Sequence, residues 1–212
     1  MKDIPVFTTE NGVASLTFKE IPYTARAYIT IHDTVVPEAF IQECADLCRA
    51  AGARSVYARG HSSLEVYPFH TAIVAMSCLR SELPETDAAL FPVQPETLNR
   101  WREIYNEKMR DVPNAAYMSL ADCEKLCQQG SAYFVHRGEA LLGIGVASGG
   151  QINAIASVRP GSGRDVLLAL CNALSDDTIR VEVASENIRA VHLYEQLGFV
   201  PVEELSKWYK II

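Results

Sequence analysis

The order of sequence patterns predicts an α/β (α+β) fold, in which helices flank a mixed central sheet and a partial repeat of the same unit comes first. Two observations support this prediction. Strand-like and helix-like runs alternate through the second half of the chain. The first half shows part of the same order, namely hairpin, strand, helix and strand. We therefore predict a degenerate N-terminal domain at residues 1–85 and a complete domain at residues 86–212, joined near Pro84 to Asp87.

Composition and net charge limit the kinds of function that we expect for this protein. Hydrophobic residues make up 49% and charged residues 21% of the 212 residues, which is typical of a globular protein with a substantial core. The net charge of -7 and the lack of a Lys/Arg cluster argue against a nucleic-acid-binding surface. The negative charge mildly favours a cationic or neutral substrate. Composition leaves a homodimer open.

Membrane and export segments are not expected. The longest apolar runs, such as Ala140 to Val146, fall far below the roughly 20 residues that a membrane helix needs. The N-terminus lacks the basic-then-apolar order of a signal peptide. We therefore expect a cytoplasmic protein with no membrane partner.

The cysteines are expected to be core residues rather than metal ligands. Cys44 with Cys48, and Cys123 with Cys127, are four residues apart in segments of helical periodicity, so each pair lies on one helix face. A zinc site would favour closer Cys pairs or nearby His ligands, and a disulfide framework would favour a secreted context. We predict no metal site.

The second half predicts two helices and then an antiparallel meander. Apolar residues recur at helical spacing from Pro95 to Met109 and again from Leu120 to Gln128, where Gly130 ends the helix. Turn residues separate the three strand-like runs that follow. These runs are Ala132 to His136, Ala140 to Val146 and Ile152 to Val158. The later elements are a helix at Arg164 to Leu174, a strand at Ile179 to Val183, a helix at Ile188 to Leu197, and two strand-like runs at Phe199 to Val202 and Lys207 to Ile211.

The first half repeats only part of this pattern. Its predicted elements are the strands Pro5 to Thr9, Ala14 to Phe18, Ala27 to His32 and Ser55 to Ala58, and the helix Glu38 to Ala50. Where the second copy has Pro160-Gly161-Ser162-Gly163, the first has Thr34-Val35-Val36-Pro37, and the pattern is lost between Gly60 and Leu83. We therefore expect the first half to be structural or to shape the substrate site.

A glycine-rich turn precedes the helix at Arg164. Such a turn exposes backbone N–H groups beside the positive end of the helix dipole, and together these groups attract a pyrophosphate. Gly161 and Gly163 remove the side chains that would block the approach. Two glycines in a strand-to-helix turn are also ordinary turn chemistry, so this motif alone leaves both interpretations open.

A second motif lies between Asn187 and Phe199, where the sequence is N-I-R-A-V-H-L-Y-E-Q-L-G-F. It resembles the N-x-x-A-x-x-L-Y-x-x-x-G-F helix of the GNAT acetyltransferase superfamily. It also follows a strand ending in Val181-Glu182-Val183 and lies downstream of a glycine-rich loop, as in that family. The resemblance covers most of residues 88–212. It implies a GNAT fold and, with the half-repeat before it, a tandem GNAT arrangement with one working site.

The resemblance also implies functional residues. Acetyl-CoA or another acyl-CoA would be the co-substrate, and Tyr194 would donate a proton to the departing CoA sulfur. Asn187 would cap its helix and bond the pantetheine arm. The cofactor-binding residues are then Ala156, Ser157 and Val158 through their backbone, Gly161, Ser162, Gly163, Arg164 and Asp165 in the loop, and Asn187 and Tyr194.

Two departures from the family pattern affect the site. The family loop begins with Gln or Arg three residues before its first glycine, and Val158 stands there in this chain. The strand at Ile152 to Val158 carries no carboxylate where many relatives place a Glu. The candidates for a general base are therefore Glu182, a water held by Asn153, His136 and His192, and none of them is assigned.

The preferred function is an acyl-CoA-dependent N-acyltransferase, in which a primary amine attacks the thioester directly. The acceptor would be a small-molecule amine or a peptide amine. Cys171, on the helix after the loop, is expected to be a core residue rather than an acyl carrier. One alternative is a non-catalytic acyl-CoA-binding or sensing protein, and another is a structural partner with a relic fold.

Overall fold

The structure, a computed structural model, describes residues 2–212. The strands are β1 (Ile4–Thr9), β2 (Gly12–Thr17), β3 (Arg26–Thr34), β4 (Ser55–Arg59), β5 (Phe69–Leu79), β6 (Ala89–Pro92), β7 (Ala132–Arg137), β8 (Ala140–Ser148), β9 (Gln151–Ser157), β10 (Thr178–Ala184) and β11 (Val200–Lys210). The helices are α1 (Ile21–Thr24), α2 (Pro37–Ala50), α3 (Leu98–Met109), α4 (Leu120–Gln128), α5 (Gly163–Asn172) and α6 (Ile188–Gln196). Across residues 2–212, none of the helices is long and apolar enough to cross a bilayer.

The chain forms two compact units, Met1–Ile73 with Leu205–Ile212, and Val74–Glu204. The boundaries fall inside β5 and β11, because each of these long strands contributes to both units. The units therefore do not coincide with the sequence division at 1–85 and 86–212. That division, which describes two copies of one pattern, stays a prediction.

The first unit is a hairpin followed by a parallel crossover. Strands β1, β2 and β3 pair antiparallel in that order, and β3 pairs parallel with β4 through the helix α2. The last residues of β11 lie antiparallel beside β4, with Tyr209 opposite Ala58. Helix α2 buries its apolar face, including Phe40 and Cys44, in a core shared with the strand residue Ile29. Because the buried residues of α2 recur at the spacing of one helix face, the pattern of apolar residues predicted this helix correctly.

The second unit contains the sheet order β5-β10-β9-β8-β7-β6. Strands β6 to β9 form an antiparallel meander, and β9 pairs parallel with β10 through the helix α5. Helices α3 and α4 pack through Trp101 and Cys123 in one apolar cluster, and α5 packs through Leu167 and Leu170 in another. The predicted meander, the helices and their order are confirmed.

Five details differ from the expectations, and one of them is the short helix α1, which was not predicted. The sequence between Gly60 and Leu83, where no pattern was recognised, contains the 11-residue strand β5. The short strand β6 was also missed. The two predicted runs at the C-terminus are one strand, β11, and α3 begins at Leu98 because Pro95 lies in the turn before it.

The strand β8 lies close beneath α5 because glycine occupies two of its buried positions. A Cβ added at Gly145 would lie 2.3 Å from Leu170 Cδ1 and 2.9 Å from the carbonyl oxygen of Ala154. A Cβ at Gly143 would lie 2.4 Å from the carbonyl oxygen of Ala156. Glycine inside a strand often marks such a close approach. These two residues therefore fix how closely α5 approaches the sheet.

Replacing Gly145 tests this packing. We expect Gly145→Ala to lower the free energy of unfolding by about 1–3 kcal/mol, since the added methyl group must displace Leu170 or the β9 backbone. Urea unfolding measures the change. The control is Ser148→Ala at the exposed end of the same strand, which should stay within about 0.5 kcal/mol of the wild type. Equal stabilities of the two variants would contradict the close approach.

Candidate functional site

The pairing between β9 and β10 ends early and leaves an open edge. The parallel ladder joins Gln151 to Arg180 and Ile152 to Val181, and no later pair is formed within residues 2–212. On its other side, β9 remains paired with β8 as far as Ser157. The carboxyl half of β9 therefore has one satisfied edge and one edge whose backbone groups are free to bond a ligand.

The direction of the backbone groups in the carboxyl half of β9, after the register shift at Asn153, follows from one hydrogen bond. The N–H of Val158 donates to the carbonyl oxygen of Leu142 at 2.8 Å, so this residue points toward β8. Backbone groups alternate along a strand, so Ala156 also points toward β8, and Ile155 and Ser157 point toward the open edge. Ser157 is also exposed.

This geometry corrects part of the predicted backbone site. Of the three residues Ala156, Ser157 and Val158, only Ser157 directs its N–H and C=O to the open edge. The N–H of Val158 is already used within the sheet. Ile155, which the sequence interpretation omitted, is the second residue with its backbone groups toward the opening. Strand alternation could have identified it once the register was known.

The glycine-rich loop is stabilised by hydrogen bonds from a buried residue, Ser162. Gly161 has φ +81°, a conformation that favours glycine, and it is exposed. Ser162 is buried, and its hydroxyl lies 2.8 Å from the carbonyl oxygens of both Leu142 and Arg159. Its N–H donates to the Arg159 carbonyl at 3.2 Å. Ser162 therefore shapes the loop, and its polar atoms do not face a cofactor.

The first turn of α5 leaves its amides open. The first backbone bond of the helix comes from the N–H of Val166 to the carbonyl of Ser162, and Ser162 gives no side-chain cap. In the described part of the chain, the amides of Gly163, Arg164 and Asp165 have no acceptor. Unpaired amides at a helix N-terminus bind anions. Gly163 also lets α6 approach, since a Cβ there would lie 3.2 Å from Leu193 Cδ2.

The carboxylate of Asp165 does not turn back onto these amides. It pairs with Arg137 at the end of β7, at 2.9 Å from Nη2, and Arg137 Nε donates to Asp87 at 2.7 Å. The hydrogen bond to Asp87, together with the charge of Asp165, raises the pKa of Arg137. The sequence interpretation did not single out Arg137 or Asp87, because nothing local marks residues that meet across 50 positions.

Helix α6 presents the two motif residues in different ways. Asn187 is the N-cap, and its side-chain oxygen accepts from the N–H of Ala190 at 3.4 Å, so the predicted cap is confirmed. Tyr194 is only 4% exposed and packs its ring against Phe199 at 5.8 Å. Most of the Tyr194 side chain is therefore withdrawn from solvent. The catalytic role of Tyr194 stays a prediction.

Burial determines the protonation of Tyr194. Loss of solvation raises its pKa from 10.0 to about 12, and the nearby Cys171 adds to the rise. The phenol is therefore a neutral donor near neutral pH. Burial likewise raises the pKa of the Cys171 thiol to about 12, which keeps it protonated. Cys171 is buried, as expected of a core residue.

The candidate bases lie at the surface. Glu182 is exposed and accepts from Gln151 Nε2 at 3.1 Å, and Asn153 is exposed with its amide 3.3 Å from Ser148 Oγ. His192 is exposed, and His136 is half-buried beside Phe91. The positions of these side chains do not single out any of them as the general base, so the base stays unassigned.

In the first unit, the corresponding strand edge is paired, and the corresponding helix start lacks an N–H at its first residue. Its β3–β4 ladder is continuous from Arg26 opposite Ser55 to Thr30 opposite Arg59. Its helix begins with Pro37, which has no N–H to offer an anion. An open strand edge and a free helix start therefore occur together in the second unit and are both missing, within residues 2–212, from the equivalent part of the first.

The cysteines are packed as predicted. Cys44, Cys48 and Cys123 are buried, and Cys127 is partly buried. Within the described residues, no group of three or more His, Cys, Asp or Glu side chains is arranged to hold a metal ion.

Comparisons with known proteins identify the fold. No protein-family model and no curated protein matches the sequence. A GCN5-related N-acetyltransferase from Sphaerobacter thermophilus matches in structure with a TM-score of 0.57 and 10% identity, over 93% of this chain and 75% of that one. A GNAT-family acetyltransferase from Colwellia psychrerythraea matches with a TM-score of 0.55 and 12% identity, over 97% and 84%. A tandem GNAT protein from the clavulanic acid biosynthesis pathway matches with a TM-score of 0.52 and 12% identity, over 94% and 78%. The chain has the GNAT fold, as its motif predicted.

The burial of Tyr194 predicts a dependence of stability on alkaline pH. The folded protein holds this proton more tightly than the unfolded chain does, so the free energy of unfolding is retained below a pH of about 10 and falls as the pH rises toward 12. We expect Tyr194→Phe to lose less stability than the wild type over this interval, as measured by urea unfolding. The control is Tyr23→Phe at an exposed tyrosine. Identical slopes for wild type and Tyr194→Phe would contradict the burial.

Proposed function

We propose that the protein is an acyl-CoA-dependent N-acyltransferase that transfers acetyl from acetyl-CoA to a primary amine. The observation that supports this most directly is the end of the β9–β10 ladder at Ile152 and Val181. It leaves backbone donors and acceptors along an open edge that leads toward the start of α5. The GNAT fold of the structural relatives supports the same class of reaction.

The residues present fit an acyl-CoA. Its pantetheine arm carries amides, and these would pair with the backbone groups of Ile155 and Ser157 at the open edge. Its pyrophosphate would lie against the amides of Gly163, Arg164 and Asp165, where the exposed Gly161 keeps the approach clear. Both groups need hydrogen-bonding partners that the structure leaves free.

The chemistry required is direct acyl transfer. The nitrogen of the amine forms a bond to the thioester carbon, the bond from that carbon to sulfur breaks, and a proton reaches the sulfur. Tyr194 is proposed to donate that proton, because its phenol is held neutral. The proton lost by the amine leaves to water or to one of the surface bases. Positioning and backbone hydrogen bonds supply the rest.

The open edge can be tested with one backbone substitution. Ser157→Pro removes the N–H that faces the opening and leaves the bonds to β8 in place, a position at which strands tolerate proline. We expect it to weaken acetyl-CoA binding about tenfold, as measured by calorimetry, since a hydrogen bond is lost and the proline ring fills the edge. The control is Ser157→Ala, which keeps the N–H and should bind as the wild type does. Equal affinity of the two variants would contradict the proposed path.

The role of Tyr194 is tested by turnover. With acetyl-CoA and a panel of small-molecule and peptide amines, we expect Tyr194→Phe to lower kcat by about 100-fold or more. The dissociation constant of acetyl-CoA should change little. Release of free thiol measures turnover. Unchanged kcat in a folded Tyr194→Phe variant would exclude this residue as the acid.

A second function is favoured by one specific observation. Strand β9 has no carboxylate, and the candidate bases are spread over the surface. A protein that only binds or senses acyl-CoA needs no base. Tight binding of acetyl-CoA with no thiol release for any amine would support this alternative. Unchanged melting temperatures with acetyl-CoA and with longer acyl-CoAs would exclude both functions.

A further inference from the structure

We propose that Arg137 is a positioning residue that keeps the carboxylate of Asp165 away from the first turn of α5, so that the turn can accept a phosphate group. The inference rests on the proposed function, because the anion is the pyrophosphate of an acyl-CoA. It assigns a role to a residue on β7 that lies outside the loop and outside the α6 motif.

The first observation is the position of Asp165. It is the third residue of α5, where an acidic side chain commonly turns back to cap the start of its own helix. A carboxylate in that place would repel an incoming phosphate. In the structure, the Asp165 carboxylate bonds Arg137 Nη2 at 2.9 Å instead, and Asp165 is the less exposed partner, with its side chain at 26%.

The second observation is how Arg137 is held. Its Nε donates to Asp87 at 2.7 Å, so the guanidinium lies between two carboxylates. Arg137 is two residues from the buried Val135, and alternation along β7 therefore directs it to the face that α5 covers. Asp87 is anchored next to this site, because Ala89 pairs with His136. Arg137 thus reaches the start of α5 from the face of β7 that α5 covers.

The third observation is that the loop is stabilised without the side chain of Asp165. The N–H of Ser162 bonds the carbonyl of Arg159, and the hydroxyl of Ser162 is turned inward. The N–H of Ser162, which an acidic third residue would normally cap, is therefore already satisfied. Neutralising Asp165 through Arg137 leaves the amides of Gly163 and Arg164 with a charge environment that suits an anion.

The test is a double-mutant cycle on the full chain, with CoA binding measured by calorimetry. We expect Arg137→Gln to weaken CoA binding about five- to tenfold at low ionic strength, with a smaller effect at high salt. Asp165→Asn should bind CoA at least as tightly as the wild type. Adding Arg137→Gln to Asp165→Asn should then have little further effect, because no carboxylate is left to hold.

Two controls separate positioning from folding. Arg49→Gln removes an exposed arginine that pairs with Asp46 in the first unit, and it should leave the affinity for CoA within about twofold of the wild type. Pantetheine, which lacks phosphate, should bind Arg137→Gln and wild type equally. A general loss of structure in Arg137→Gln would lower pantetheine binding too, and Arg137→Lys then provides a milder variant.

The outcomes are distinct. Wild-type affinity for CoA in a folded Arg137→Gln variant would overturn the inference alone. A double variant as weak as Arg137→Gln would also overturn it, since Arg137 would then act through its own charge. A wild-type protein that binds neither CoA nor acetyl-CoA would overturn the proposed function, and the inference with it.

Discussion

The carbonyl oxygen of Leu142 is the point on which the geometry of the site depends. It accepts the N–H of Val158 at the end of β9 and lies within hydrogen-bonding distance of the hydroxyl of Ser162 just before α5. Leu142 is also the extra residue where the β7–β8 register shifts, between Val135 opposite Gly143 and His136 opposite Leu141. One irregular residue of β8 is therefore bonded both to the end of the open strand and to the residue just before the helix.

The two units differ in only a few residues at the point where one has an open strand edge and the other a paired one. Both have a strand, a crossover helix and a parallel strand, and they differ at the start of that helix. The first unit has Pro37 there and a continuous ladder, whereas the second has Gly163 and a ladder that ends at Ile152. The order of elements is therefore common to both units, and a helix start with unpaired amides is local to one.

Much of the fold could be predicted from sequence, because periodicity and turn residues are local signals. The helices α2, α4 and α6 and the meander β7 to β9 are of this kind. Strand β5 was missed because small and polar residues such as Thr71 and Ser77 dilute its alternation, and its neighbours are set by tertiary structure. In the site, the loop and Asn187 were recognisable from motifs. The direction of Ser157 and the pairing of Arg137 with Asp165 were not, because register and long-range ion pairs leave no local pattern.

Strands β5 and β11 each contribute residues to both units. The first unit cannot complete its sheet beside β4 until Leu205–Lys210 is available, and the second needs residues 74–79 from the segment that precedes it. A fragment cut at residue 85 would lack the strand that covers Ala58, and its exposed edge would be prone to pairing with other chains. A cut at residue 85 therefore does not separate the two units that the structure shows.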